Sequence, residues 1–338
     1  MTSNARQLAA NLPREGGLSN RRLNHNGDMR IAQRGTGAVT PTSGGSLYPV
    51  DRWGAYAQPS SKYSAQQQTG GPAGFDNYVR MTSLSAHTSV STDFFPFFTN
   101  LEGQDVQQLQ YGSSGAKDAT ISFWVRSSLT GSFSISFRAA AASTSYITTY
   151  TINAANTWEY KTITVAGNTS TSIPNNNLLG FDINFDLGHG SNSENIANTW
   201  IAGSQNRVAG TVRLVETNGA TLDITGVQLE VGDTATPFEH RSYHDQLQAC
   251  MRYYRTMYHN FRDVSAFGSD RKVFYAEVTP RMRATPTVTV SGTGNPNVQD
   301  GHAFTDTDRH GVHYKDANNG TGGWAINCSS TSILDAEL

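Results

Sequence analysis

VQLEVGDTATPFEHRSYHDQLQACMRYY, residues 227–254, carries three kinds of local structure in succession. It opens with the alternation of a strand, breaks at Pro237 and continues as a helix. Ser242 stands three residues before Asp245, a variant of the capping box in which a hydroxyl takes a backbone N–H of the first helical turn. Leu247, Cys250, Met251 and Tyr254 then recur at i, i+3, i+4 and i+7, the spacing of one helical face. The segment is therefore a joint: the last strand of one body, an exit, and a short helix leading into another. The apolar stripe allows two arrangements, a helix packed on its own sandwich or three copies gathered about a threefold axis.

Upstream of the joint, from about residue 75 to 232, apolar residues recur with period two. TISFWVR (120–126) places Ile121, Phe123 and Val125 on one face, and SFSISFR (132–138) does the same with Phe133, Ile135 and Phe137. LGFDINFDL (179–187) puts Leu179, Phe181, Ile183, Phe185 and Leu187 inward and Asp182, Asn184 and Asp186 outward. WEYKTITV (158–165) alternates through Trp158, Tyr160, Thr162 and Thr164, or through Ile163 and Val165 on the other side. In LDITGVQLE the core positions are Leu222, Ile224, Val227 and Leu229, and the slip in parity across Gly226 predicts a bulge. FFPFF (94–98) reads as an edge strand or a loop plug, because Pro96 lacks the N–H that a central strand uses. Half-buried strands in this number, with turn-rich connections and no helix between them, define an all-β fold, an antiparallel β-sandwich of jelly-roll type.

Downstream, KVFYAEVTPRMRATPTVTVSG (272–292) resumes the strand pattern, and HAFTDTDRHGVHYKDANNGTGGWAINC (302–328) offers two or three strands more. About 80 residues this poor in apolar content are marginal as an isolated domain and are stabilised more easily when shared between subunits. Residues 1–48 carry almost no apolar periodicity and cannot bury enough surface to fold alone. The expected organisation is thus an extended N-terminal arm (1–48), a jelly-roll sandwich (49–240), a linker helix (241–258) and a small distal β domain (259–338).

Composition narrows the function. Charged residues are 15% of the 338, against roughly 25% in an average soluble protein, and 32 are glycine. A formal net charge of −2 lacks the basic excess of nucleic-acid binders. Cys250 and Cys328 stand in unrelated contexts and read as buried free thiols rather than a disulfide or a zinc site. No run approaches the ~18 apolar residues of a membrane span, and the N-terminus lacks a signal-peptide core. A hydroxyl-rich β protein made in a cytoplasm without an export signal fits a virion protein released by lysis.

The NGD…QRGT…Y..DRW pattern at Asn26–Thr36 and Tyr48–Trp53, the stretches ISFWVRSSLTGSFSISF and NTWEYKTITVAGNTS, and above all the joint at 227–254 resemble phage tail-fibre and virion-fibre proteins. The resemblance runs over residues 24–338. It implies a carbohydrate-binding-module-like jelly roll, a homotrimer mounted on the virion, and attachment to host surface polysaccharide. The alternatives it leaves are a capsid-mounted head fibre, a purely architectural virion protein, and a polysaccharide depolymerase or esterase. The arm's arginines, Arg21, Arg22, Arg30 and Arg34 among them, outnumber its acids and are scattered, which favours docking on another virion protein over nucleic acid.

Catalytic chemistry finds no carrier. No GxSxG, HExxH or P-loop occurs and no cofactor is implied; Asp182, Asp186 and Glu194 could supply a glycosidase pair, but Asp182 and Asp186 read as the outward positions of an alternating strand. His302, Asp306, Asp308, His310 and His313 alternate as metal ligands would, but read as a polar loop, and no metal is expected. The expected ligand site is this distal loop. His302, Asp308, His310, His313, Tyr314 and Trp324 supply the aromatic faces and hydrogen-bonding groups that a sugar needs.

Overall fold

The computed structural model describes residues 21–141, 143–263, 272–291, 298–299, 303–305, 309–316 and 326–338, with side chains described outside 259–277 and 290–330. The chain divides into two units, Met1–Arg241 and Ser242–Leu338.

The first unit begins with β1 (Leu47–Val50), β2 (Trp53–Ala55), β3 (Tyr63–Thr69), β4 (Asn77–Ser83), β5 (Pro96–Glu102), β6 (Ala119–Ser127) and β7 (Gly131–Ala139). It continues with β8 (Thr144–Ile152), β9 (Glu159–Val165), β10 (Leu179–Asp186), β11 (Glu194–Asn195), β12 (Trp200–Ala202), β13 (Arg207–Val208) and β14 (Thr221–Val231). A seven-stranded sheet, β1-β2-β5-β10-β7-β8-β12, lies against a five-stranded sheet, β3-β4-β14-β6-β9, and every pairing in both is antiparallel. The period-two residues meet between them. Phe123 of one sheet packs edge-on against Phe185 of the other at 5.2 Å, and Trp53 stacks on Phe97 at 5.3 Å. Each buried ring of this size contributes about 1.5–3 kcal/mol of transfer free energy, so this apolar layer dominates the fold.

The bulge expected at Gly226 is present. Thr225 pairs with Trp124 and Gln228 with Ser122, so two residues of β14 stand opposite one of β6. Gly226 sits at φ +62, and a Cβ there would lie 2.8 Å from the Phe75 ring and 3.1 Å from Trp124. Only glycine meets both the dihedral and the space.

Three expectations change in the first unit. First, residues 21–48 are not an arm. Past the bulge, residues 23–27 take the edge of β14 that β4 leaves: Leu23 donates to the Leu229 carbonyl at 2.8 Å and Val227 to Gly27 at 2.9 Å. The Asn24 side chain completes the ladder, accepting from Leu229 and donating to the Val227 carbonyl. Asn26, with its buried amide on the carbonyls of Ile31 and Asp51, receives the Trp53 indole N–H on its own carbonyl. The segment folds because backbone and amide hydrogen bonds, invisible to apolar periodicity, hold it. Residues 1–20 lie outside the described residues. Second, β5 is an interior strand, between β2 and β10. Pro96 is tolerated because it is the strand's first residue, where only its carbonyl is used, by the Tyr63 hydroxyl at 2.6 Å and the Tyr56 N–H. Third, Asp182, Asn184 and Asp186 are buried rather than outward, for the reason given below.

The joint folds back on β14. Glu239 donates its N–H to Gln228 and accepts from the Arg22 backbone, and Arg241 donates to the Arg22 carbonyl. The Arg22 guanidinium lies over the Phe238 ring at 4.9 Å, and burial lowers its pKa to about 10.

In the second unit, helix α1 (Tyr243–Met251) is capped by Ser242, whose hydroxyl oxygen accepts the Asp245 N–H at 3.1 Å. The helix is shorter than the expected 241–258, because Tyr254 already opens a strand. The strands are β15 (Tyr254–Asp263), β16 (Lys272–Glu277), β17 (Thr287–Ser291), β18 (Val298–Gln299), β19 (Ala303–Thr305), β20 (Arg309–Asp316) and β21 (Ile326–Asp335). β21 pairs with β15 and β17, and β20 with β16, β18 and β19. A small core of Val278, Met282, Leu334 and Ala336 closes this unit, and Cys250 is buried. The Cys328 side chain lies outside the described side chains.

Gly27→Ala tests the docking of residues 23–27. A Cβ there would stand 2.0 Å from the Val227 carbonyl oxygen, so the segment must detach. The expected cost is about 2–4 kcal/mol in urea unfolding, with hydrogen exchange at the amides of Leu23, Val227 and Leu229 accelerated together.

Candidate functional site

A sandwich has two outer faces, and here their fates differ. That of the seven-stranded sheet is covered by the chain between β10 and β14. Asp186 on β10 accepts the backbone N–H groups of Gly188 and His189, both at 2.7 Å, and pairs with His189 Nδ1 at 2.5 Å and Arg207 Nη1 at 2.7 Å. Arg207 also reaches Glu194 at 3.1 Å, and Arg213 reaches the same carboxylate at 3.0 Å. Ser134 and Ser136 of β7 bond to Thr211 and Asn206 of this covering segment. Asp182 is neutralised by Arg138 at 2.8 Å and accepts the Asn184 amide at 2.6 Å. The polar face of β10 is thus an internal ionic layer, which is why the alternation misplaced it. Asp182, Asp186 and Glu194 are each spent on cations, and none has the free carboxyl of a glycosidase acid.

The outer face of the five-stranded sheet is open along half its length. Register places its residues in two adjacent cross-strand rows. In the first, Gln66 of β3 stands opposite Arg80 of β4, Arg80 opposite Asp223 of β14, and Asp223 opposite Arg126 of β6. In the second, Gln68 faces Tyr78, Thr225 faces Trp124, and Trp124 faces Tyr160. Trp158, just before β9, extends the first row, with the Arg126 guanidinium over its ring at 4.6 Å.

These side chains form one connected surface. Trp124 and Tyr160 have ring centroids 5.4 Å apart, and Tyr78 meets Trp158 edge-on at 5.3 Å. Arg126 also covers the Tyr78 ring at 5.3 Å and Arg80 approaches it at 5.7 Å. Beneath them Asp223, 1% exposed, takes Arg80 at 2.8 Å and Arg126 at 2.7 Å. The shared carboxylate raises the Arg80 pKa through its hydrogen bond. Tyr160 is 43% exposed and Trp124 and Trp158 are half-buried, so rings present faces to solvent without being loose.

One turn fixes Trp158. Glu159 accepts the backbone N–H groups of Asn153 and Ala154 and pairs with Lys161 at 2.6 Å. Desolvation opposes its ionisation, yet Lys161 and these N–H donors hold its pKa down to about 2. At its other end the face is closed by Phe75, which packs on Phe238 at 4.9 Å and on His240 at 5.3 Å.

The residues singled out from sequence stand elsewhere. His310, His313 and Tyr314 lie on β20, opposite Ala276, Val273 and Lys272, and their side chains lie outside the described side chains. His302, Asp308 and Trp324 lie outside the described residues altogether. The arginines assigned to virion attachment are engaged within the sandwich. Arg22 is buried, Arg21 donates to the Pro237 carbonyl, Arg30 pairs with Asp28, and Arg34 stacks on Tyr48 at 4.7 Å. Sequence reading missed the aromatic rows, although their signal was present: once Phe123 and Val125 point inward, Trp124 and Arg126 must point out. Among the described residues no group of three or more His, Cys, Asp or Glu side chains is disposed to hold a metal ion.

No family model and no curated protein matches the chain. Similar solved structures include the enzymatically active domain of tailspike protein 4 of bacteriophage CBA120, at 13% identity and TM-score 0.32, over 65% of this chain and 24% of that one. A sugar-binding protein of Bacteroides thetaiotaomicron, so described provisionally, is similar at 9% identity and TM-score 0.37, over 62% of this chain and 99% of its own. The family 11 carbohydrate-binding module of Clostridium thermocellum, in complex with a mixed-linked tetrasaccharide, is similar at 11% identity and TM-score 0.30, over 60% and 99% of the two chains. The chain therefore spans about a quarter of the tailspike domain it matches.

The ionic layer makes an acid-stability prediction. Burial disfavours the Asp186 carboxylate, but His189, Arg207 and the two N–H donors hold its pKa below the ordinary value. A depressed folded pKa means that its stabilisation is complete above the unfolded value, near 4, and is lost as pH falls through the folded one. Wild-type unfolding free energy is expected to drop below about pH 4. Asp186→Asn is expected to begin about 3 kcal/mol lower at pH 7 and to show a shallower acid limb. An unchanged acid limb in the variant would remove Asp186 from the account.

Proposed function

We propose that the chain binds a polysaccharide through the outer face of its five-stranded sheet and does not cleave it. The observation that carries this reading is the pair of rows that brings Trp124, Trp158 and Tyr160, backed by the buried Tyr78, onto one open, rigid face. Sugar rings offer C–H faces to aromatic rings and hydroxyls to the groups between them. Gln66, Gln68 and the guanidinium edges of the same rows supply those partners. Binding without cleavage fits the state of the nearby carboxylates. Asp223 is locked between two guanidiniums, and Glu159, held down to about 2, stays ionised and serves its turn, so neither is placed to act as a general acid.

The resemblance to phage fibre proteins supplies the biological setting of the proposal. The chain is a homotrimeric virion fibre, and the polysaccharide belongs to the host surface. Three faces acting together turn weak single-site binding into useful avidity.

Affinity electrophoresis against a panel of bacterial surface polysaccharides tests the binding. The expected result is retardation with no shortening of the polysaccharide. The double variant Trp124→Ala/Tyr160→Ala is expected to weaken it roughly tenfold or more, with a melting temperature close to wild type. Chain shortening would overturn the non-enzymatic reading, and retardation untouched in the folded double variant would overturn the site. For the assembly, light scattering is expected to give three times the chain mass; a compact monomer would remove the trimer.

A further inference from the structure

The charge on this face narrows the ligand, and the inference rests on the glycan reading above. The two rows hold three charged side chains, Arg80, Arg126 and Asp223. Two positive charges against one negative leave one positive charge on a face otherwise made of aromatic rings, amides and hydroxyls.

That charge is fixed and accessible. Arg80 spends Nε and Nη2 on Asp223, at 2.8 and 2.9 Å, and Arg126 spends Nε and Nη2 on the same carboxylate, at 2.8 and 2.7 Å. Neither donates from Nη1 among the described residues, and the two side chains remain 35% and 23% exposed. Asp223 itself is 1% exposed and out of a ligand's reach. An incoming molecule therefore meets guanidinium edges that donate and never accept, held in place by a buried carboxylate and by the Tyr78 and Trp158 rings. A hydroxyl satisfies such an edge in part. A carboxylate satisfies it with charge-assisted bonds and neutralises the excess.

We propose that the polysaccharide is acidic, and that the carboxylate of a uronic acid residue docks on the exposed edges of Arg80 and Arg126 while its ring or a neighbouring one lies on Trp124 and Tyr160. Single-stranded nucleic acid also combines anionic groups with stacking, but its binders track successive phosphates with a line of cations, whereas the cations of these rows are two arginines side by side on one shared carboxylate.

The test uses the full chain in affinity electrophoresis with polygalacturonate, alginate, hyaluronan and xanthan. Each is assayed beside its carboxyl-reduced counterpart, in which carbodiimide activation and borohydride reduction turn the carboxylate into a primary alcohol and keep the ring. Dextran, xylan and poly-dT complete the set. At least one uronate polymer is expected to be retained, and its reduced form to bind about tenfold or more weakly. Arg126→Gln is expected to lose about tenfold for the uronate polymer and little for its reduced form, while Arg126→Lys recovers part of the difference. Equal binding of native and reduced polymers, abolished by Trp124→Ala/Tyr160→Ala, would overturn the acidic ligand and leave the glycan face standing. Retention of no polysaccharide would overturn both, as would tighter retention of poly-dT than of every polysaccharide. Full uronate binding by a folded Arg126→Gln variant would overturn the assignment of the arginines.

Discussion

The bulge at Gly226 is the constraint on which the rest of the first unit depends. Without it, β14 would send either Leu222 and Ile224 or Val227 and Leu229 away from the core, since a strand has period two. The extra residue restores both pairs to the inner face, and all four are fully buried. It also ends the pairing of β14 with β4 at Ile224, which opens an edge for residues 23–27. Because Trp124 and Phe75 press on Gly226 from outside, the same residue marks where the open part of the outer face stops and the part closed by the joint begins. Core parity, docking of the N-terminal segment and the extent of the site thus follow from one dihedral angle that a larger residue would adopt only with strain.

Buried charge is used differently on the two sheets. On the seven-stranded sheet Asp182 and Asp186 recruit Arg138, His189 and Arg207, and a layer of chain closes over them. On the five-stranded sheet Asp223 recruits Arg80 and Arg126, and among the described residues nothing closes over their exposed edges. Buried ion pairs add little net stability, since desolvation offsets most of their attraction, but removing one partner costs several kcal/mol. Their effect is therefore on arrangement. In the first case they fix a covering segment to the sheet; in the second they fix two guanidiniums to a surface.

The residues read most accurately from sequence were those whose position follows from apolar alternation or from a cap. Phe123, Phe133, Phe137, Phe181 and Phe185 line the sandwich core, Ser242 caps its helix, and the parity slip located the bulge. What escaped depends on polar groups. Asn24 and Asn26 hold residues 23–31 by side-chain amides, and Asp182 and Asp186, on the outer face of their sheet, are buried beside partners 44 and 21 positions away in sequence. Neither leaves a periodic trace. The aromatic face escaped for a third reason. Trp124, Trp158, Tyr160 and Tyr78 come from three strands and a turn, and only the order β4-β14-β6-β9 makes them neighbours. A close succession of His, Asp, Tyr and Trp at 302–324 is conspicuous in sequence, whereas a surface assembled by register is not.

The face is suited to recognition because its parts are ordered before any ligand arrives. Association costs free energy for every side chain that must be immobilised, about 0.5–1.5 kcal/mol each for rotamer-rich ones. Arginines are among the most costly to order, yet Arg126 is held by two bonds to Asp223 and lies over two rings. Trp158 stands on a turn tied by Glu159, whose pKa, held down to about 2, keeps the tie ionised well into the acid range. Asp223 does for the arginines what Glu159 does for the tryptophan. In each case a carboxylate unavailable to the ligand orders a group that is available, so the ordering cost is met in folding and leaves the aromatic and guanidinium contacts to act on binding.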